Sequence, residues 1–245
     1  MSELTKAEQK RQAREEELID LALEIATKEG FGALTMEKLT SRSNYSKGTI
    51  YNHFANKEDC LSAITARAGA KLFHLFSKAA AYPGSLREKA LASHYSYYIF
   101  SLIEPELFMA LLATKTQEVR EKSSEERMCL CNQLDTSITN LCEQTMRMAL
   151  EAGDLKLRDS IDFESLSFAN WAGAFGMNAL ITSVQAVAIE KMRKDDLIFN
   201  SINILLDGMN FHPLSDQYNY KNTWQTLRED YFAEELQTIN NEAIS

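Results

Sequence analysis

The densest group of side chains able to bind something lies between residues 46 and 54, which read Ser-Lys-Gly-Thr-Ile-Tyr-Asn-His-Phe. Ser46 is a good N-cap, and Lys47, Gly48 and Thr49 then open a short helix. The start of a helix presents free backbone amides and the positive end of the dipole, so this grouping of amides, hydroxyls and lysine suits a phosphate. Gly48 weakens the helix it sits in, which points to close approach of the backbone to something. Tyr51, Asn52 and His53 add hydrogen-bonding side chains. Upstream, Thr35 can cap a helix of about eight residues ending near Arg42. Asn44 tolerates the left-handed region and can make a sharp turn. Two short helices about a tight turn make a helix-turn-helix.

Charge singles out the same stretch. The chain of 245 residues carries a net charge of −9, which excludes a protein that is basic throughout. From Lys38 to Lys57 there are four basic residues (Lys38, Arg42, Lys47 and Lys57) and no carboxylate. Residues 1–57 balance at nine of each sign, so the whole net charge lies downstream. A basic patch on an acidic body attracts polyanions in one orientation.

Other chemistries find no support. The four cysteines are too few and scattered for a disulfide framework. Cys129 and Cys131 point to different helix faces, and Cys131 and Cys142 lie about three turns apart, so neither pair chelates a metal. The histidines show no ligand spacing. No nucleophile–base cluster, phosphate-cradling glycine loop or paired-carboxylate signature appears, so neither an enzyme, a cofactor nor a metal is expected.

The elements that must position residues 35–57 are helical. Only 3 prolines and 9 glycines interrupt a chain that is 45% hydrophobic and 25% charged. An all-α fold is predicted. A stripe of Leu18, Ala22, Ile25 and Ala26 marks a first helix ending at Gly30. Asn56 caps the helix that follows the helix-turn-helix. Ser85-Leu-Arg-Glu88 and Ser123-Ser-Glu-Glu126 read as capping boxes. Helices are expected over 86–103, 105–121, 124–152 and 163–191, then from Asp195 to near Gly208. Residues 211–220 read as a loop and 222–238 as a final amphipathic helix. The most apolar stretch, 172–188, contains Asn178, Thr182, Ser183 and Gln185, so no membrane span is expected. The first 17 residues lack an apolar core, so a cytoplasmic protein is expected.

Residues 29–59 closely resemble the DNA-binding domain of the TetR family of transcriptional regulators. The resemblance rests on Glu29-Gly30-Phe31, Leu34-Thr35, Lys38-Leu39, Ser46 to Phe54, and Asn56-Lys57-Glu58-Asp59. Thr40 and Asn44 depart from it, standing where the family usually has Ala and Gly. The resemblance implies three parts: a helix-turn-helix domain over 1–60, a helical effector-binding and dimerisation domain over 61–210, and a loop plus C-terminal helix over 211–245 of open role. It implies that Thr35, Tyr51, His53 and Lys57 contact phosphates. Ser46 would cap the recognition helix, and Lys47, Gly48, Thr49 and Asn52 would face the major groove. Tyr51 and His53 carry a second reading as packing or capping residues. Ile50 and Phe54 read as core.

The implied partners are a double-stranded DNA operator, a small-molecule effector and a second copy of the chain. Candidate effector contacts are Tyr95, Tyr98, Phe108, Met146, Trp171 and Phe175, whose character suits an apolar or aromatic effector, with His94 or Asn178 orienting it. Each has an alternative as ordinary bundle core. Ala169, Ala172, Gly173, Gly176 and Ala179 form a small-residue stripe that would pack against helix 124–152 or across a two-fold axis, joined there by Ile198, Ile202, Leu205, Leu206 and Met209. The expected function is a ligand-responsive repressor released from a palindromic operator. The alternatives are an activator, or a helical carrier or enzyme with an incidental helix-turn-helix.

Overall fold

The computed structural model describes residues 5–113, 115–182 and 194–242. The described residues are helical throughout, with no strand among them and one isolated bridge between Leu155 and Phe211. In chain order the helices are α1 (Lys6–Glu29), α2 (Met36–Arg42), α3 (Lys47–Tyr51), α4 (Lys57–Ala80), α5 (Leu86–Ile103), α6 (Pro105–Ala113), α7 (Gln117–Lys122), α8 (Glu125–Ala152), α9 (Phe163–Thr182), α10 (Lys194–Gly208), α11 (Tyr220–Thr226) and α12 (Ala233–Glu242). The expected continuation of the 163–191 helix beyond Thr182 lies outside the described residues.

The chain divides into two compact units: residues 1–70 with 106–135, and residues 71–105 with 136–245. In the first, Leu18, Ala22 and Ile25 of α1 close over Leu34, Leu39, Ile50, Phe54 and Ile64, all buried. The stripe on α1 ends where Gly30 adopts φ 87°, a conformation glycine takes without strain. In the second, α5 is the central helix. Leu91, Tyr95, Tyr98, Ile99 and Phe100 are buried on it, and α9, α10, α11 and α12 pack against it.

Local chemistry sets the boundaries. Ser85 and Glu88 form the expected reciprocal capping box. The second expected box does not form, and a single cap one residue on takes its place. Ser124, not Ser123, accepts from the Arg127 amide at 3.4 Å. Ser123 is occupied as the C-cap of α7. The helix expected over 105–121 is two, because the Thr116 hydroxyl accepts from the Val119 amide and starts α7 afresh. The expected 222–238 helix starts at Tyr220, with the Asn219 side chain at its cap, and is interrupted by a π turn over Leu227–Tyr231 before α12.

Candidate nucleic-acid interface

The helix-turn-helix is α2, a four-residue connection and α3. Thr35 accepts from the Lys38 amide at 3.1 Å and fixes the start of α2. Ser46 does the same for α3, accepting from the Thr49 amide at 3.2 Å, and its hydroxyl lies 2.9 Å from the Thr49 hydroxyl. The turn differs from the sequence expectation. Asn44 does not adopt positive φ; among the described non-glycine residues only Asn210 does, at 63°. Ser43 makes the turn instead, with its hydroxyl accepting from the Tyr45 amide at 3.1 Å. A hydroxyl-mediated turn of this kind reverses the chain without left-handed backbone.

The face left open to solvent is narrow and specific. Ser46, Lys47, Gly48, Tyr51 and Asn52 are exposed, and Thr35, Thr49 and Lys57 are half-buried. Ile50 and Phe54 are fully buried beneath them. A Cβ on Gly48 would meet only the Ser46 hydroxyl, at 3.9 Å. Nothing inside the protein therefore demands glycine there, and its helix penalty is left to an external surface to explain. The Lys47 ammonium lies 5.5 Å from the Tyr51 ring centroid, a cation–π contact that holds both side chains on the same face. Lys57 reaches the Gly32 carbonyl at 3.3 Å. α3 itself closes at Tyr51, with Asn52 as its C-cap.

His53 is elsewhere. Its side chain is 3% exposed, and Nδ1 lies 3.2 Å from the Glu15 carboxylate. Glu15 also pairs with Arg127 at 2.6 Å, and the Arg127 guanidinium sits 5.8 Å from the Phe54 ring. This is the placement that the packing reading of His53 describes. Sequence spacing offered no signal for it, because Glu15 and Arg127 lie far away along the chain.

The basic patch is also smaller than the count suggested. Glu29, which precedes the acid-free stretch, bonds Lys38 at 2.7 Å and Arg42 at 2.5 Å. Those bonds, Lys38 first, hold the Glu29 carboxyl below the usual range. Of the four cations counted, Lys47 and Lys57 form no ion pair among the described residues, although Lys57 acts at longer range on the Glu118 carboxylate.

The candidate effector residues are spread over α5, α6, α8 and α9. Tyr95 and Tyr98 come together around Trp224, at 4.6 Å edge-on and 6.3 Å stacked, and Phe232 lies 5.7 Å from Tyr95. Trp224 and Phe232 belong to the C-terminal segment whose role the sequence left open. Met146 is buried, Trp171 is 47% exposed, and Phe175 is half-buried 6.5 Å from it. Phe108 is fully buried but belongs to the first compact unit. The two polar candidates are both buried on the second unit. His94 Nε2 lies 3.0 Å from the Asn170 carbonyl oxygen, and Asn178 accepts from Ser101 at 3.4 Å.

Fold and site together define an all-helical protein that opens with a helix-turn-helix module. Residues 18–64 match the family model of bacterial regulatory proteins of the tetR family. A curated relative, the uncharacterized HTH-type transcriptional regulator YxbF of Bacillus subtilis (strain 168), is 33% identical over 85 residues. That match covers 34% of this chain and only 22% of the relative's length. Among solved structures, a bacterial regulatory protein in the tetR family from Rhodococcus RHA1 aligns with TM-score 0.63 at 16% identity, covering 84% of this chain and 98% of that one. The transcriptional regulator FadR from Bacillus subtilis, solved in complex with stearoyl-CoA, aligns with TM-score 0.57 at 18% identity over 79% of this chain and 98% of that one. At such identities the structural likeness speaks for the fold alone.

Proposed function

We propose that the chain is a ligand-responsive transcriptional regulator that binds duplex DNA as a homodimer through paired helix-turn-helix units. The observation that carries this reading is the exposed row Ser46, Lys47, Gly48, Tyr51 and Asn52, held on a buried Ile50–Phe54 base within the family-matched segment. In it Thr35, Lys57 and the α3 N-terminus position the backbone of the duplex, while Thr49 and Asn52 read bases. His53 acts from beneath, holding α3 against α1.

The boundaries proposed are a DNA-binding domain over 1–60, an effector and dimerisation domain over 61–210, and a C-terminal segment over 211–245. The effector proposed is small and apolar or aromatic. The aromatic richness of α5 supports this. Binding would favour a dimer geometry in which the recognition helices no longer match half-sites about 34 Å apart, releasing the operator.

The test is fluorescence anisotropy of the full chain on duplex DNA across salt. Binding should weaken steeply with salt, and Lys47→Ala should lower the slope by about one unit, because one phosphate is no longer neutralised. Salt-independent binding, or a slope that Lys47→Ala leaves unchanged, removes this reading and leaves a helical carrier.

A further inference from the structure

Helix α1 begins well before the part of it that packs. Its buried residues are Leu18, Ile19, Ala22, Ile25 and Ala26, yet the helix starts at Lys6. Residues 6–13 are all exposed. Residues 6–14 contain Lys6, Lys10, Arg11 and the half-buried Arg14 against the single carboxylate of Glu8, which is engaged by the Thr5 cap. None of the four cations forms an ion pair among the described residues.

Successive helical positions turn by about 100°, so Lys6, Lys10 and Arg14 share one face spanning about 80°, roughly a third of a turn from the buried stripe. Glu17 falls on the same side, and its carboxylate accepts from the Tyr45 hydroxyl at 2.5 Å. Tyr45 immediately precedes Ser46, the cap of α3. The basic face therefore runs out from beside the start of the candidate recognition helix, and both belong to one compact unit. Arg14 is close enough to Tyr45 to act on its phenol electrostatically.

Like charges at four-residue spacing repel, and a lysine in the first turn opposes the helix dipole. These residues thus oppose the helix they occupy, and only the Thr5–Glu8 capping box at its first turn works the other way. The stretch has only Ala7 and Ala13 as apolar residues, which excludes a face that inserts into lipid.

We propose that the first two turns of α1 are a second DNA-contact element, in which Lys6, Lys10, Arg11 and Arg14 lie along the phosphates flanking the site held by α3. Residues 6–14 extend over about 13 Å. Duplex DNA presents one charge per about 1.7 Å of its axis, so several phosphates fall within reach. The element adds affinity and footprint without base specificity. This inference rests on the reading of the helix-turn-helix as DNA-binding.

The experiment measures anisotropy of the full chain on a random-sequence duplex of about 40 bp between about 50 and 200 mM salt. Three proteins are compared: wild type, Lys6→Gln/Lys10→Gln/Arg11→Gln/Arg14→Gln, and a charge-matched control, Lys28→Gln/Lys89→Gln/Lys156→Gln/Lys221→Gln. Gln preserves helix propensity, and circular dichroism checks that α1 persists. The α1 variant should lower the salt slope by two units or more, at about 0.9 for each phosphate no longer neutralised. The control should change it by less than one. Equal slopes for wild type and the α1 variant, or an equal drop in the control, overturn the proposal. A wild type whose binding ignores both salt and Lys47→Ala sinks the DNA-binding reading itself, and this inference with it.

Discussion

Arg87 and Asp207 form an ion pair of 2.5 Å in which the guanidinium is wholly out of solvent and the carboxylate is 29% exposed. The same guanidinium donates to the Phe211 carbonyl and to Asn203, and lies 4.7 Å from the Tyr220 ring centroid. Through it α5, α10 and the C-terminal segment share one anchor. Burial pushes the Asp207 pKa up, but bonds from Ser215 and Arg87 together outweigh it and leave the carboxyl below its usual 3.8.

The asymmetry of exposure predicts an asymmetry of mutation. Asp207→Ala leaves a buried cation without its counter-charge and should lower unfolding stability by about 3 kcal/mol. Arg87→Met replaces the cation with an apolar chain and leaves a carboxylate that water can reach, with the Phe211 carbonyl and Asn203 each losing a donor, so the loss should be smaller than that of Asp207→Ala. Because the carboxyl pKa is depressed, the contribution is present above the unfolded value near 3.8 and is lost as pH falls through the lower folded value. Urea titrations of both variants at neutral pH decide the point; equal losses would contradict it.

His94 predicts a second pH effect of different origin. Burial lowers its pKa to about 4, against a smaller opposing effect of the Asn170 hydrogen bond. The folded state keeps the ring neutral while the unfolded chain takes up a proton below about 6.5. Stability should therefore fall as pH drops from 7 to 5, by about 1–2 kcal/mol from this residue. His94→Gln should flatten that part of the profile. A variant whose stability falls as steeply as wild type between those pH values would show that His94 is not the group responsible.

Much of this was legible in the sequence because it is local. Caps at Thr35, Ser46, Asn56 and Ser85 and the end of α1 at Gly30 depend on residues a few positions apart, and they stand where expected. What escaped depends on partners distant along the chain. The sequence counted Lys38 and Arg42 as free cations, but folding brings both to Glu29. It left His53 between phosphate contact and packing, and could not name Glu15, which lies beside it. It offered Gly173 to helix 124–152 or a second copy, but a Cβ there would lie 3.3 Å from Leu205 of α10 in the same chain. It left residues 211–245 without a role, and Trp224 proves to be a wall of the Tyr95–Tyr98 cluster.

Asn52 and Lys47 should separate sequence reading from simple attraction. Asn52 is exposed at the end of α3, where an amide can bond a base edge bidentately. Asn52→Ala should shift the sequences recovered from a randomised duplex pool, losing about 1–3 kcal/mol at the affected position. Lys47→Ala should weaken all sequences alike. Recovery of the same sequences by wild type and Asn52→Ala would place base reading elsewhere on the unit.

The last prediction concerns the second copy. Phe168, Ala172, Gly176 and Leu180 recur every four residues on α9 and so share a face. Phe168 is 63% exposed, Leu180 60%, and Ile204 on α10 72%. Large apolar side chains this exposed on α9 and α10, two helices that pack on each other, mark surface that another protein covers. The residues expected to seal a dimer from α10 are not on that surface. Ile198, Ile202, Leu206 and Met209 are buried within the single chain, and Leu205 covers Gly173. Their three- and four-residue spacing reports the core of the protomer. The homodimer interface proposed is therefore the opposite, exposed side of the same two helices. Ile204→Glu should give a folded monomer, because its carboxylate is solvated in the free chain but unpaired in an apolar interface. Leu205→Glu should instead destabilise the protomer, since the charge would sit against α9. Sedimentation and thermal unfolding of both variants provide the test. A monomeric wild type, or an Ile204→Glu protein that stays dimeric with unchanged affinity, would move the interface off this face.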